Sequence, residues 1–207
     1  FGEPRSVARL VEVARKNDPV LGPLAIESLA ASRFTAAHEA LLGLLPDMTA
    51  QARPKIVAVL ARHPRLAFAD VILEYARADD ETGSIALSAL AMIGHPQLMP
   101  ELTRALASQN SSRRNAAFTL LASRSDPESI RLATEHALER LKAGPPDSTV
   151  VSVISRTRDP RAIPLLLKHL GGPAASRSAV IRTLAQVGDE RVVKELVKQY
   201  PELPAQD

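Results

Sequence analysis

A short junction that returns about every 31 residues constrains this chain more than any other feature. A polar or charged residue followed by proline or a second charge appears at His63-Pro64, His95-Pro96, Asp126-Pro127, Asp159-Pro160 and Asp189-Glu190, at steps of 32, 31, 33 and 30 residues. A repeat of that length is one supersecondary unit, too small to bury an apolar face alone, so it stacks on its neighbours. The composition agrees with short helices. The core must be built from Ala, Leu, Val and Ile, because aromatic residues make up only 3% of the chain and Trp is absent. Sixteen prolines are hostile to long helices but suit many helix starts, where a missing N–H is no loss.

Aligned on its junctions, the chain predicts two helices per repeat. The first follows the junction, as in Pro96–Leu102 and Pro160–Leu166, each with a second proline four residues on. The junction proline is expected at the first helical position, with Asp126 or Asp159 capping free N–H groups, and the second proline is expected to bend the helix without breaking it. The second helix is clearest over 176–187, where Val180, Ile181, Leu184 and Val187 share one face. Gly188 then acts as a stop. Counting back from each junction gives two matching columns: Leu90, Leu121, Ile154 and Leu184 at five residues, and Ala86, Ala117, Val150 and Val180 at nine. They are the predicted buried seam. Asp79-Asp80, Asn110-Ser111-Ser112 and Gly171-Gly172-Pro173 read as turns between paired helices. Upstream, helices are expected over 19–31, 35–45 and 54–62. The total is about thirteen, from roughly 5–16 to 189–200, with no competing strand pattern.

The segments Ala89–Pro96 and Thr183–Asp189 resemble the second-helix ending of HEAT repeats, most closely the bacterial HEAT-like repeat also found in phycobilisome lyases. Arg114 and Arg177 match the arginine that this family carries early in the second helix. The resemblance spans nearly all of residues 1–207 and is clearest over 64–200; the stretch 33–63 departs from it at Pro46 and Pro54. It implies an all-α fold, a right-handed α-solenoid of about six helix pairs plus a terminal helix, forming a single repeat domain. It also implies that Arg114 and Arg177 pair with an acidic residue of a neighbouring repeat. The chain opens at Phe1, so it reads as a processed product or a piece of a longer protein, and its apolar first helix (Val7, Leu10, Val11, Val13) could lean on an upstream domain.

Little in the sequence points to chemistry. There is no cysteine, hence no thiol nucleophile or Cys-based zinc site. No H-E-x-x-H, G-x-S-x-G, GxGxxG or phosphate-loop motif occurs. His63 and His95 stand where other repeats carry Asp, which suits capping. His38-Glu39 and the reversed Glu135-His136 cannot supply the repeated His-Glu pairs of the iron-binding deoxyhypusine hydroxylases, a HEAT-family enzyme class. The expectation is therefore no enzyme, no cofactor and no metal. No apolar run is long enough to span a membrane.

What remains is surface. If the seam faces inward, residues offset from it on the second helices face outward: Ser84, Ser88 and Met92; Asn115, Thr119 and Ser123; Ser148, Ser152 and Arg156; Ser178, Arg182 and Gln186. All but one are polar and most are small. In HEAT solenoids the second helices line the concave face, so the resemblance implies a shallow polar groove there. An ordinary solvated helix face has the same composition, but small side chains also let a partner's helix or strand approach closely. Charge is uneven. The net total is +3, made of −2 over residues 1–103 and +5 over 104–207. Arg113, Arg124 and Arg158, beside Arg156 and Arg182, form a candidate basic patch. The favoured reading is a scaffold that binds a protein or peptide. The alternative is nucleic-acid binding by the basic half, as in HEAT-like DNA glycosylases, and the scarcity of aromatic residues for base stacking weighs against it.

Overall fold

The computed structural model describes residues 4–16, 18–48, 52–63, 65–172, 174–188, 192–194 and 197. Among them the chain is helical, without strands. The α-helices are α1 (Pro4–Arg15), α2 (Leu21–Ala31), α3 (Thr35–Leu44), α4 (Arg53–Arg62), α5 (Ala69–Ala76), α6 (Glu81–Ile93), α7 (Leu98–Leu106), α8 (Ser111–Ser123), α9 (Pro127–Ala143), α10 (Ser148–Thr157), α11 (Ile163–Leu167) and α12 (Ala174–Val187). Short 3-10 turns occupy 45–47, 66–68 and 160–162. Most of the terminal helix expected over 189–200 lies outside the described residues; 192–194 and 197 are helical.

The chain divides into two compact units, residues 1–120 and 121–207. In the first, α1 packs on α2 and α3, α2 on α3 and α4, α4 on α5 and α6, and α6 on α5 and α7. In the second, α9 packs on α10 and α11, and α12 on α10 and α11. Within each unit, the packing is between helices one or two places apart in the chain. That is the contact pattern of a helical repeat, in which each pair leans only on its neighbours.

The seam columns are the core. Leu90, Leu121, Ile154, Leu184, Ala86, Ala117 and Val180 have no exposure and Val150 has 1%. Leu29, Leu60, Phe68, Ile72 and Leu102 join them. Each buried Leu or Ile side chain contributes about 1.5–3 kcal/mol relative to exposure.

The junctions do what their chemistry dictates. Asp126 caps α9, accepting from the Ser129 N–H at 2.9 Å, with Pro127 in the first turn. Asp159 accepts from the Arg161 N–H at 2.9 Å and starts the 160–162 turn. His95 substitutes for the carboxylate: its Nδ1 accepts from the Gln97 N–H at 3.1 Å. The Asp-rich turns behave likewise, with Asp80 capping α6 through the Gly83 N–H at 3.0 Å and Asp147 capping α10 through two N–H groups at 2.9 Å.

The prediction about the second proline needs correction. α7 begins at Leu98 and not at Pro96, and α11 begins at Ile163 after a 3-10 turn. Pro100 and Pro164 therefore lie within a first turn. No helical N–H is needed there and the ring clashes with nothing, so neither proline has a bend to produce.

Candidate functional site

The outward stripe lies where the helical period places it. Met92, Asn115, Thr119, Ser123, Ser148, Ser152, Arg156, Ser178, Arg182 and Gln186 are exposed, and Ser84 and Ser88 are half-buried. Met92, at 61% exposure, is one of the few large apolar side chains left uncovered. In the first unit the Ser84 and Ser88 hydroxyls donate to carbonyls one turn back, Asp80 O at 3.4 Å and Ser88 to Ser84 O at 3.3 Å. Those bonds tie the two hydroxyls to their own helix. In the second unit Arg182 Nε donates to Ser178 O at 3.3 Å. Arg156 Nη1 donates to Ala122 O at 2.6 Å, setting a cation against the last turn of α8, where the helix dipole favours it.

The basic patch does not survive as a surface feature. Arg113 is 2% exposed. Its guanidinium enters the end of α5, donating to the carbonyls of Ala76 and Ala78, with Nε 3.7 Å from Asp79 Oδ1. Burial pulls its pKa below the ordinary value, opposed by Asp79 and Glu101. The physical reason is geometric: the carbonyls that end α5 are orphan acceptors, and a planar fork satisfies two at once. Gly83 makes the room, since a Cβ there would collide with Ala78 O and with the Arg113 guanidinium. The Asp79–Arg113 ion pair lies one residue from the slot that the HEAT resemblance assigned to Arg114. Arg114 instead donates to Ser108 O and Gln109 O at 2.6 and 2.8 Å, and Arg177 donates to Gly172 O at 3.0 Å. Both brace the turn before their own helix. Arg124 is half-buried and engaged with Asp126 Oδ2 at 2.9 Å and Ser129 Oγ at 3.1 Å. Of the three patch residues only Arg158 is exposed without a side-chain partner among the described residues.

His38, His63, His95 and His169 have structural partners, His95 through its cap on Gln97. His38 Nε2 donates to Ser32 O at 2.7 Å, and its ring meets Phe68 edge-on at 5.1 Å. His63 pairs with Glu27 at 2.7 Å, and His169 Nε2 donates to Leu141 O at 2.8 Å. Among the described residues no group of three or more His, Asp or Glu is placed to hold a metal ion. No described helix is long and apolar enough to cross a membrane.

Comparison with protein-family models finds no match, and comparison with curated proteins finds none. The geometry therefore carries the functional argument.

One arrangement in the second unit was not anticipated from sequence. A hollow of about 330 Å³ is lined by Arg131, Thr134, Glu135, Arg158, Asp159 and Arg161, among others. Arg161 is engaged through Nε and Nη2: its guanidinium bonds Asp159 at 2.7 and 3.1 Å and Glu135 at 2.9 Å. Asp159 first and Glu135 second hold its pKa above the ordinary value. Arg131 and Arg158 make no side-chain hydrogen bond or ion pair among the described residues. No local pattern signals this grouping, because Arg131 and Arg158 stand at opposite ends of one helix pair and Arg161 opens the next.

Proposed function

We propose that this chain is a non-catalytic scaffold of the HEAT-like helical-repeat kind, a right-handed α-solenoid over 1–207 that binds a polypeptide along its second helices. The observation that carries the reading is the strict separation of two faces on those helices. One face is a fully buried aliphatic seam, and the other is an outward stripe of side chains that are polar except Met92 and mostly small. Small hydroxyl residues bonded back to their own helix present little side-chain entropy to lose, so an extended strand or a helix can approach closely. His38, His63, His95 and His169 are engaged in capping, pairing and packing, which supports a non-enzymatic role.

Nucleic-acid binding loses ground. Duplex binding draws on cations that can reach phosphates. Of Arg113, Arg124 and Arg158, the first is buried and the second is held by its own junction.

The test is affinity capture with the wild-type chain beside a triple variant, Ser88→Glu, Thr119→Arg and Ser152→Arg, paired with hydrogen-exchange mapping of the captured complex. The expected result is loss of the captured polypeptide by the variant, and new protection in wild type on α6, α8, α10 and α12. Equal capture by both proteins, or protection confined to the first helices, overturns the reading.

A further inference from the structure

We propose that the hollow beside Arg131 and Arg158 is a binding site for a phosphoryl group. It lies on the junction side of the second unit, apart from the stripe, and does not depend on the scaffold reading.

Three observations converge on it. The first is charge. Three guanidiniums and two carboxylates line the hollow, but both carboxylates are taken up by Arg161. Arg131 and Arg158 are exposed and have no side-chain partner among the described residues, so their donors are open to an oxyanion and not to a cation or apolar group.

The second is backbone. Arg158 closes α10 in the left-handed region at φ 51°, ψ 37°, and among the described residues it is the one non-glycine with positive φ. The position just before the junction is Gly94 in one repeat, at φ 71°, and Gly188 in another. An arginine there accepts a strain that glycine avoids, and capping alone does not require its side chain. Strain of this kind concentrates at ligand-holding positions.

The third is size and shape. A hollow of about 330 Å³ accommodates a phosphoryl group with part of its carrier. Two guanidiniums lining one hollow suit a tetrahedral dianion better than a single carboxylate, because its three oxygens can take paired donors from more than one fork. The source of the group is either free phosphate or a phosphorylated side chain of a partner.

Titration of the full chain with inorganic phosphate, followed by amide and guanidinium NMR shifts at low ionic strength, tests the site. Saturable shifts are expected at Thr157, Arg158 and Asp159 below ~20 mM. Arg131→Gln and Arg158→Gly should each weaken binding about tenfold or more, and Arg9→Gln, in the other unit, should leave it unchanged. Arg158→Gly should also raise the thermal midpoint, since glycine removes the strain; a residue kept only for the fold would not give weaker binding together with higher stability. A phosphoserine peptide that binds at least about tenfold tighter than phosphate identifies the group as protein-borne, and equal affinity identifies it as free. Absence of saturation with both probes, or unchanged binding in both arginine variants, overturns the proposal.

Discussion

Replacing Gly83 by alanine should destabilise this protein, although helix propensity predicts the reverse. Gly83 sits in the first turn of α6, and alanine in a helix is favoured over glycine by about 1 kcal/mol. Its missing side chain, however, is the space through which Arg113 reaches the end of α5. A Cβ would lie far inside contact distance of Ala78 O and of the guanidinium. Ala78 O is backbone at the α5–α6 turn, so it cannot swing aside as a flexible side chain would. Overpacking of this kind costs about 1–3 kcal/mol. Displacing a buried arginine adds about 1.5–3 kcal/mol per charged hydrogen bond lost. With the propensity gain set against these, a net loss of about 2–4 kcal/mol is expected. Gly43→Ala is the control. Gly43 lies in α3, is exposed, and has nothing within 4 Å of the new methyl, so it should gain about 0.5–1 kcal/mol. Urea denaturation followed by circular dichroism gives both numbers, provided the slope is unchanged. In an Arg113→Met background the Gly83→Ala loss should shrink, because one of the two obstructing groups is gone. If Gly83→Ala stabilises as Gly43→Ala does, the placement of the Arg113 guanidinium is wrong.

Three further outcomes follow from the same geometry. Leu121→Ala and Leu184→Ala, at fully buried seam positions, should each cost about 2–5 kcal/mol, whereas Gln186→Ala and Ser152→Ala on the stripe should stay within about 0.5 kcal/mol; equal losses would invert the helix facing. The carboxyl of Asp126 is held below its ordinary pKa by the Ser129 N–H and hydroxyl and by Arg124, and that of Asp159 chiefly by Arg161. Their stabilisation is present above the ordinary carboxylate range and lost as pH falls below about 4, so Asp126→Asn should flatten the acid limb of a stability–pH curve while lowering stability at neutral pH. Glu27, lowered first by Arg62 and then by His63, acts in the same direction. Glu27→Gln should therefore also weaken the acid dependence, with only a small effect on midpoint because exposed pairs contribute little.

The repeat, the helical class, the seam and the stripe were legible in the sequence because all four depend on local periodicity. A junction marks the phase, and 3.6 residues per turn then fixes which side of a helix each residue takes. That sufficed to place Leu90, Leu121, Ile154 and Leu184 in the core and Thr119, Ser152 and Gln186 in solvent. Local rules also fixed the Asp126 and Asp159 caps. They were less able to place the starts of α7 and α11, where a proline is compatible with several positions in one first turn.

Tertiary structure decided what depends on a partner distant in the chain. Arg113 and Arg114 are adjacent and chemically identical, yet one is buried and the other braces a turn. The difference lies in the Ala76 and Ala78 carbonyls, more than thirty residues upstream, and the one trace of it in the sequence is a glycine, Gly83, near the start of a helix. Arg131, Arg158 and Arg161 likewise become a cluster only when α9 packs beside the end of α10, with Glu135 and Asp159 orienting one of the three. Periodicity determines which way a side chain leaves its helix. The backbone acceptors and charges it then meets belong to the neighbouring repeat, and only packing brings them within reach.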